Sequence, residues 1–146
     1  DLAFCIEERF RPWHRRCCPD SDNAQVSGEF GERAAAGYLR SVGYRVLCRR
    51  FSAAGGEIDL VCRHGECLVF VEVKARSRND FGRPAEAVTP RKQRRLAKAA
   101  LAYLQLLGNP AIVSRFDIVE VFLEPGVLPR FELFSNAFDL PKPYLY

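Results

Sequence analysis

The chain has 146 residues, 48% hydrophobic and 27% charged, with a formal net charge of +4, which suits one soluble domain able to bury its own core. No apolar run approaches the roughly 20 residues a membrane helix needs, and the first residues lack the uninterrupted apolar stretch of a secretory signal, so the sequence predicts a cytoplasmic protein with no membrane partner. The six cysteines, Cys5, Cys17, Cys18, Cys48, Cys62 and Cys67, lack the spacing of a disulfide framework, which argues against a stapled extracellular module.

Residues 1–28 show no sustained period and contain Pro12, Pro19 and the polar run Asp20-Ser21-Asp22-Asn23. They predict a loosely ordered extension ahead of a domain over 29–136, with 137–146 as a tail. From Phe30 the pattern turns helical, with Phe30, Ala34, Tyr38 and Val42 on one stripe and a stop at Gly43, so a first helix is expected to about Ser41. Tyr44 to Phe51 alternates and is rich in strand formers, and Ser52 to Gly56 is a turn. A second strand is expected over Glu57 to Arg63, a tight hairpin at His64-Gly65, and a third, most apolar strand over Glu66 to Ala75. These three should form an antiparallel meander with the third strand central.

After a polar connection, Ser77 to Pro84, the pair Thr89-Pro90 reads as a helix cap followed by proline at the first helical position. A second helix with the core stripe Leu96, Ala100, Tyr103, Leu104 and Leu107 should run to about Leu107, where Gly108-Asn109-Pro110 ends it. Two more strands, Arg115 to Leu123 and Arg130 to Phe134, flank the turn Glu124-Pro125-Gly126. The order α-β-β-β-α-β-β predicts an α/β fold, a mixed β-sheet flanked by helices, in which the second helix is the crossover to the fourth strand.

Side chains alternate along a strand, so Glu72-Val73-Lys74 puts a carboxylate and an ammonium on one face, beside Leu68 and Phe70. Charges at the end of an apolar strand are costly unless they pair or bind a cation. Thirteen residues earlier, Asp59 lies between Ile58 and Leu60, whose side chains are expected on the opposite face. The hairpin at His64-Gly65 sets Asp59 approximately opposite residues 70 to 72, close to Glu72. Two converging carboxylates that hold a hard divalent ion, with a lysine to orient or deprotonate water, suit phosphodiester hydrolysis. The alternative is a structural ion pair of Lys74 with Asp59 or Glu72. Glu32 shares a helical stripe with Ala35 and Leu39 and is a candidate third ligand, or else an acid favoured by the helix dipole. Lys92 or Gln93, at the start of the second helix's buried stripe, could reach a scissile phosphate.

Charge is unevenly placed. Between Lys74 and Lys98 there are nine basic residues (Lys74, Arg76, Arg78, Arg83, Arg91, Lys92, Arg94, Arg95, Lys98) against Asp80 and Glu86, a local charge of +7. That footprint suits phosphate backbones, and Arg76, Arg91, Lys92, Gln93, Arg94 and Arg95 are the candidate nucleic-acid contacts; the alternative is a solvated helix face. Cys62, His64 and Cys67 lack a second ligand pair at finger-like spacing, so they are read as small buried thiols in a hairpin rather than a zinc site.

Several blocks together resemble a known family: Gly-Glu-Ile-Asp at 56–59, Phe-Val-Glu-Val-Lys at 70–74 with Arg76, Gly31-Glu32 with Ala34 and Tyr38-Leu39, Lys92-Gln93, and Arg115-Phe116-Asp117. They look like the YraN family, assigned to the PD-(D/E)XK superfamily, and are similar to archaeal Holliday-junction resolvases. The likeness runs from about Gly28 to Phe134. It implies a restriction-endonuclease-like core and a catalytic set of Glu32, Asp59, Glu72 and Lys74, with Mg2+ or Mn2+ held mainly by Asp59 and Glu72. The family supplies no settled substrate, so the leading expectation rests on fold and site: a magnesium-dependent endonuclease hydrolysing DNA phosphodiesters at branched or damaged structures in repair or recombination, against the alternative of a non-catalytic nucleic-acid-binding or scaffold module on the same fold. A homodimer would match the two symmetric strands of a junction, although no self-complementary surface is legible. Arg50 stands where family members often carry asparagine, a departure expected to leave the catalytic set untouched.

Overall fold

The computed structural model describes residues 26–76 and 88–139. The expectations for the extension before residue 26, the connection over 77–87 and the tail after 139 lie outside them, as do Arg78 and Arg83. Helix α1 (Val26–Ser41) is followed by β1 (Arg45–Ala53), β2 (Gly56–His64), β3 (Cys67–Arg76), α2 (Pro90–Leu106), β4 (Ser114–Phe122) and β5 (Arg130–Phe138). This is the expected element order, with α1 starting one turn earlier and β5 running four residues longer than the sequence pattern suggested.

The five strands make one sheet in the order β1-β2-β3-β4-β5. β1, β2 and β3 form the antiparallel meander, β3 and β4 pair in parallel, and β5 returns antiparallel to β4. A parallel neighbour needs a crossover, and α2 supplies it. The β1–β2 turn holds Ala54 and Gly55 at φ 52° and 79° between the paired residues Ala53 and Gly56, a two-residue loop whose twist matches the strands it joins. α2 opens as expected, with the Thr89 hydroxyl accepting from Lys92 N at 3.2 Å and Pro90 at the start of the helix.

Among the described residues each face of the sheet carries one helix. α2 covers Phe51, Ile58, Phe70 and Phe116 with Leu96, Ala99, Ala100 and Tyr103; the Tyr103 ring stands edge-on to Phe51 at 5.0 Å and to Phe70 at 5.8 Å, a favourable aromatic geometry. α1 covers Leu60, Val69, Val71, Val119 and Val121 with Ala35, Ala36 and Leu39. The stripe Phe30-Ala34-Tyr38-Val42 is therefore not the buried one. Phe30 is 56% exposed and Val42 41%, while Ala35, Ala36 and Leu39 are fully buried. Small side chains let α1 sit close to the sheet, so a Cβ at Gly31 would already touch Ala75 Cβ at 3.8 Å. Tyr38 instead stacks on Phe131 of β5, with centroids 4.6 Å apart. Among the described residues no helix is long and apolar enough to cross a membrane.

Candidate active site

The expected alternation holds in β3. Phe70 packs under α2 and Val71 under α1, so Glu72 and Lys74 project to the α2 face. Glu72 is buried and Lys74 half-buried. In the parallel register Glu72 lies beside Ile118 and Lys74 beside Glu120 of β4.

Asp59 reaches the same place by a different route. The β2–β3 ladder ends at Leu60↔Val71, so Asp59 is the first residue beyond it, where the strands part. Ile58 and Leu60, two residues apart, pack on opposite faces of the sheet. Simple alternation around Asp59 therefore fails: β2 turns about its axis at that residue. Its neighbour in β1 is Arg50, between the pairs Arg49↔Leu60 and Phe51↔Ile58, and Arg50 has φ 51°, a left-handed conformation that few residues other than glycine, asparagine and aspartate adopt readily. The distortion frees the Asp59 carboxylate to accept from Val73 N at 2.8 Å, which satisfies a β3 donor that the parted ladder no longer serves.

The two acids crowd one another. Burial first, and the Glu72 charge second, push Asp59 up from the usual carboxylate range to about 8; the Val73 N–H opposes the shift and the Glu32 charge adds to it. Glu72 Oε1 lies 3.2 Å from Lys92 Nζ, while Oε2 is buried with no hydrogen-bond partner among the described residues. A desolvated pair of carboxyl oxygens with an unfilled lone-pair position fits a hard divalent ion, so Asp59 and Glu72 are the residues that would hold one. Glu32 is close enough for Asp59 to feel its charge, but it is engaged elsewhere: Arg50 Nε donates to Glu32 Oε2 at 2.7 Å. The Arg50 position, expected to leave the catalytic set untouched, bonds directly to one of its members. Among the described residues no three His, Cys, Asp or Glu side chains converge on one ion-sized position.

A folded-state pKa raised above the unfolded value has a definite sign. Folded Asp59 holds its proton where the unfolded residue, near pH 4, has lost it, so the stability this one group contributes is greatest below that pH and is lost as pH rises toward about 8. Thermal melts without divalent ions are expected to show a midpoint declining across this window, and Asp59→Asn should flatten the decline. An equal slope in the variant would show that Asp59 is not the group responsible.

The basic candidates divide into two groups. Arg91, Lys92, Arg94 and Arg95 lie exposed on the first turns of α2. Of these, Lys92 and Arg95 join Ser52, Ala53, Gly55, Gly56 and Glu57 of the β1–β2 turn in lining an open cavity of about 500 Å³. Gln93 is spent on structure, its amide donating to Val88 O at 2.8 Å. Arg76 is engaged by Glu120, with Nη2 2.9 Å from Oε1; an arginine with so little exposed surface braces β3 to β4.

Sequence reasoning missed Glu120 and the role of Arg50. The signal for Glu120 was an acid inside the apolar run Phe116-Asp117-Ile118-Val119-Glu120-Val121, in a strand flanked on both sides. Asp117 in the same run is wholly buried on the other face, where it accepts from Tyr44 Oη at 2.7 Å, Arg115 Nε at 3.0 Å and Asn136 N at 2.9 Å. That network ties β4 to β5 and to the α1–β1 junction, which gives the Arg115-Phe116-Asp117 block a structural reason. Of the hairpin thiols expected to be buried, Cys62 is fully so, and burial first, then the Asp117 charge, push its thiol up to about 12, whereas Cys67 is only half-buried at the edge of the α1-side core. His64 is stacked on Tyr44 at 4.3 Å with Nδ1 3.1 Å from Arg115 Nη2.

Residues 31–121 match the uncharacterised protein family UPF0102. A UPF0102 protein of Symbiobacterium thermophilum is 50% identical over 111 residues, covering 76% of this chain and 94% of the relative. One from Geobacter sulfurreducens is 44% identical over 120 residues (82% and 94%), and one from Trichlorobacter lovleyi 44% over 117 (80% and 92%). The matched span takes in α1 from Gly31, the hairpin bearing Asp59, the Glu72-Val73-Lys74 segment and α2. This chain belongs to UPF0102, the YraN family that its motifs resemble.

Proposed function

We propose that the protein is a metal-dependent endonuclease that hydrolyses DNA phosphodiester bonds in the cytoplasm, at branched or damaged structures met in repair or recombination. The observation that carries this reading is the crowding of Asp59 against Glu72 where β2 and β3 part, one face step from Lys74 and bordered by the exposed cations of α2. The pair is short of donors: Glu72 has Lys92 and the hydrogen bond shared with Asp59, but its Oε2 has none among the described residues.

Asp59 and Glu72 would hold Mg2+ or Mn2+, which would supply charge neutralisation at a phosphate and acidify water. The chain's own residues do the rest. Asp59 gives up its proton so that both acids are charged. Lys74, on the same face, orients the attacking water by donating to it. Lys92 sits between Glu72 and the cavity, within reach of a phosphate entering there, and Arg91, Arg94 and Arg95 hold the flanking backbone. A lysine or arginine on each phosphate releases counterions, so binding should weaken steeply with salt.

Arg94→Glu with Arg95→Glu is expected to weaken DNA binding at least about tenfold and to lower the slope of log affinity against log salt by about two, roughly one for each phosphate no longer neutralised. Anisotropy titrations at several salt concentrations measure both; an unchanged slope would take α2 out of the interface. The reaction itself is tested with labelled linear, flapped and four-way-junction DNA, with Mg2+ or Mn2+, comparing wild type with Lys74→Ala. Cleavage confined to wild type with metal supports the reading and identifies the substrate class. DNA binding with no cleavage under any of these conditions counts against it and favours a non-catalytic module.

A further inference from the structure

The acids at this site are unequally available, and the difference lies in one residue. Arg50 projects from a left-handed backbone position (φ 51°) directly across β1–β2 from Asp59. Its side chain turns to Glu32, with Nε 2.7 Å from Oε2 and only 26% and 15% of the two side chains exposed. A guanidinium is always charged and presents a rigid fork of donors, so a partly buried carboxylate bound to it is not easily released. Asp59 and Glu72 are held differently: Asp59 accepts a backbone N–H and shares a hydrogen bond with Glu72, while Glu72 has one oxygen near the half-exposed Lys92 and one buried oxygen without a partner among the described residues.

We propose that Arg50 sets the ligand number of this site, holding Glu32 out of the coordination set and leaving a two-carboxylate centre of Asp59 and Glu72. The inference rests on the metal-site reading above and deepens it. It accounts for the lack of any three-acid convergence among the described residues although three acids stand near one another. A two-carboxylate centre suits Mg2+, which keeps several waters and is commonly held by one or two carboxylates plus substrate phosphate. Arg50 is thus a positioning residue that acts through Glu32.

The test is Mn2+ binding by the full chain, read by calorimetry and by water-proton relaxation, in wild type, Arg50→Asn, Arg50→Asn with Glu32→Gln, and Asp59→Asn. Asparagine tolerates the left-handed backbone, and Arg50→Gln is the second variant should the first unfold. Freeing Glu32 should tighten Mn2+ binding about tenfold or more, the scale on which groups around a ligand set alter metal affinity, and should displace one bound water. The double variant restores the net charge of the pair and should return to wild-type affinity and hydration. Three results overturn the inference while leaving the metal site in place: unchanged affinity in Arg50→Asn, tightening without loss of a water, or a double variant far weaker than wild type, which would make Glu32 a ligand already. Absence of Mn2+ binding throughout, or binding undiminished in Asp59→Asn, overturns the metal-site reading and this inference together.

Discussion

Glu72→Gln is expected to raise the melting temperature of the metal-free protein while lowering metal-dependent cleavage at least about a hundredfold, the scale of losing one preorganised electrostatic group. The two effects share a cause. In the metal-free protein the Glu72 carboxylate is desolvated beside Asp59 and leaves one oxygen unpaired. Glutamine keeps the shape and removes the buried charge, so Asp59 no longer has to hold its proton against a neighbouring carboxylate, and the amide can take over the hydrogen bond that the Asp59 carboxyl shares with Glu72. What it gives up is the ion pair with Lys92, whose side chain is 45% exposed although that of Glu72 is only 11% exposed, so solvent screens the pair from the lysine side. The balance should be a gain on the order of 1 kcal/mol, the usual worth of satisfying a buried polar group, or a few degrees of melting temperature. Side chains arranged for chemistry commonly cost stability in this way. Calorimetry of the variant without divalent ions measures the gain; destabilisation instead would identify Glu72 as a structural acid.

Gly56→Ala should be among the most damaging single changes in the hairpin, at about 3 kcal/mol or more, the upper end of overpacking penalties. Gly56 opens β2, and a Cβ there would run into the carbonyl oxygen of Arg95, 2.9 Å from Arg95 C and 3.4 Å from Ala99 Cβ. The obstruction is helix backbone, so α2 must move as a body, and Lys92 and Arg95 move with it. Stability and DNA binding are therefore expected to fall together. Gly55 is the internal comparison. Its φ of 79° disfavours a side chain but nothing lies within 4 Å of its Cβ position, so Gly55→Ala should cost only the conformational penalty, about 1 to 2 kcal/mol. If chemical denaturation gave the two substitutions equal costs, close helix approach would not be what position 56 requires.

The contrast between these glycines shows what the sequence displayed and what it concealed. Periodicity displayed the elements and the crossover, and strict alternation in β3 put Glu72 and Lys74 on one face because that strand is regular from Cys67 to Arg76. The same rule misplaced the neighbours of Asp59, since β2 turns there and the distortion is carried by Arg50, a residue type with no marked tendency to positive φ. In α1 the apolar stripe drawn through Phe30 and Val42 was the wrong one, because alanines, which score weakly in a hydrophobic pattern, make the closest helix–sheet contact. Acids on interior strands, Asp117 and Glu120, were visible as anomalies in an apolar run. Their partners are Tyr44 at the α1–β1 junction, Arg115 on the same face of β4 and Arg76 on β3, and the cross-strand pairing is set by the sheet register. The Arg50–Glu32 bond joins residues 18 apart in different elements and has no local signature.

The proposed function stands on Asp59, Glu72 and Lys74 acting as one metal-dependent hydrolytic centre. Single-turnover cleavage of a labelled four-way junction across a Mn2+ titration, by wild type, Asp59→Asn, Glu72→Gln and Lys74→Ala at matched DNA occupancy, tests it most directly. Cleavage by wild type is expected to saturate with Mn2+ and to disappear in all three variants while each remains folded and DNA-bound. Cleavage that persists in the Asp59 and Glu72 variants, or its absence in wild type at full DNA and Mn2+ occupancy, would contradict it.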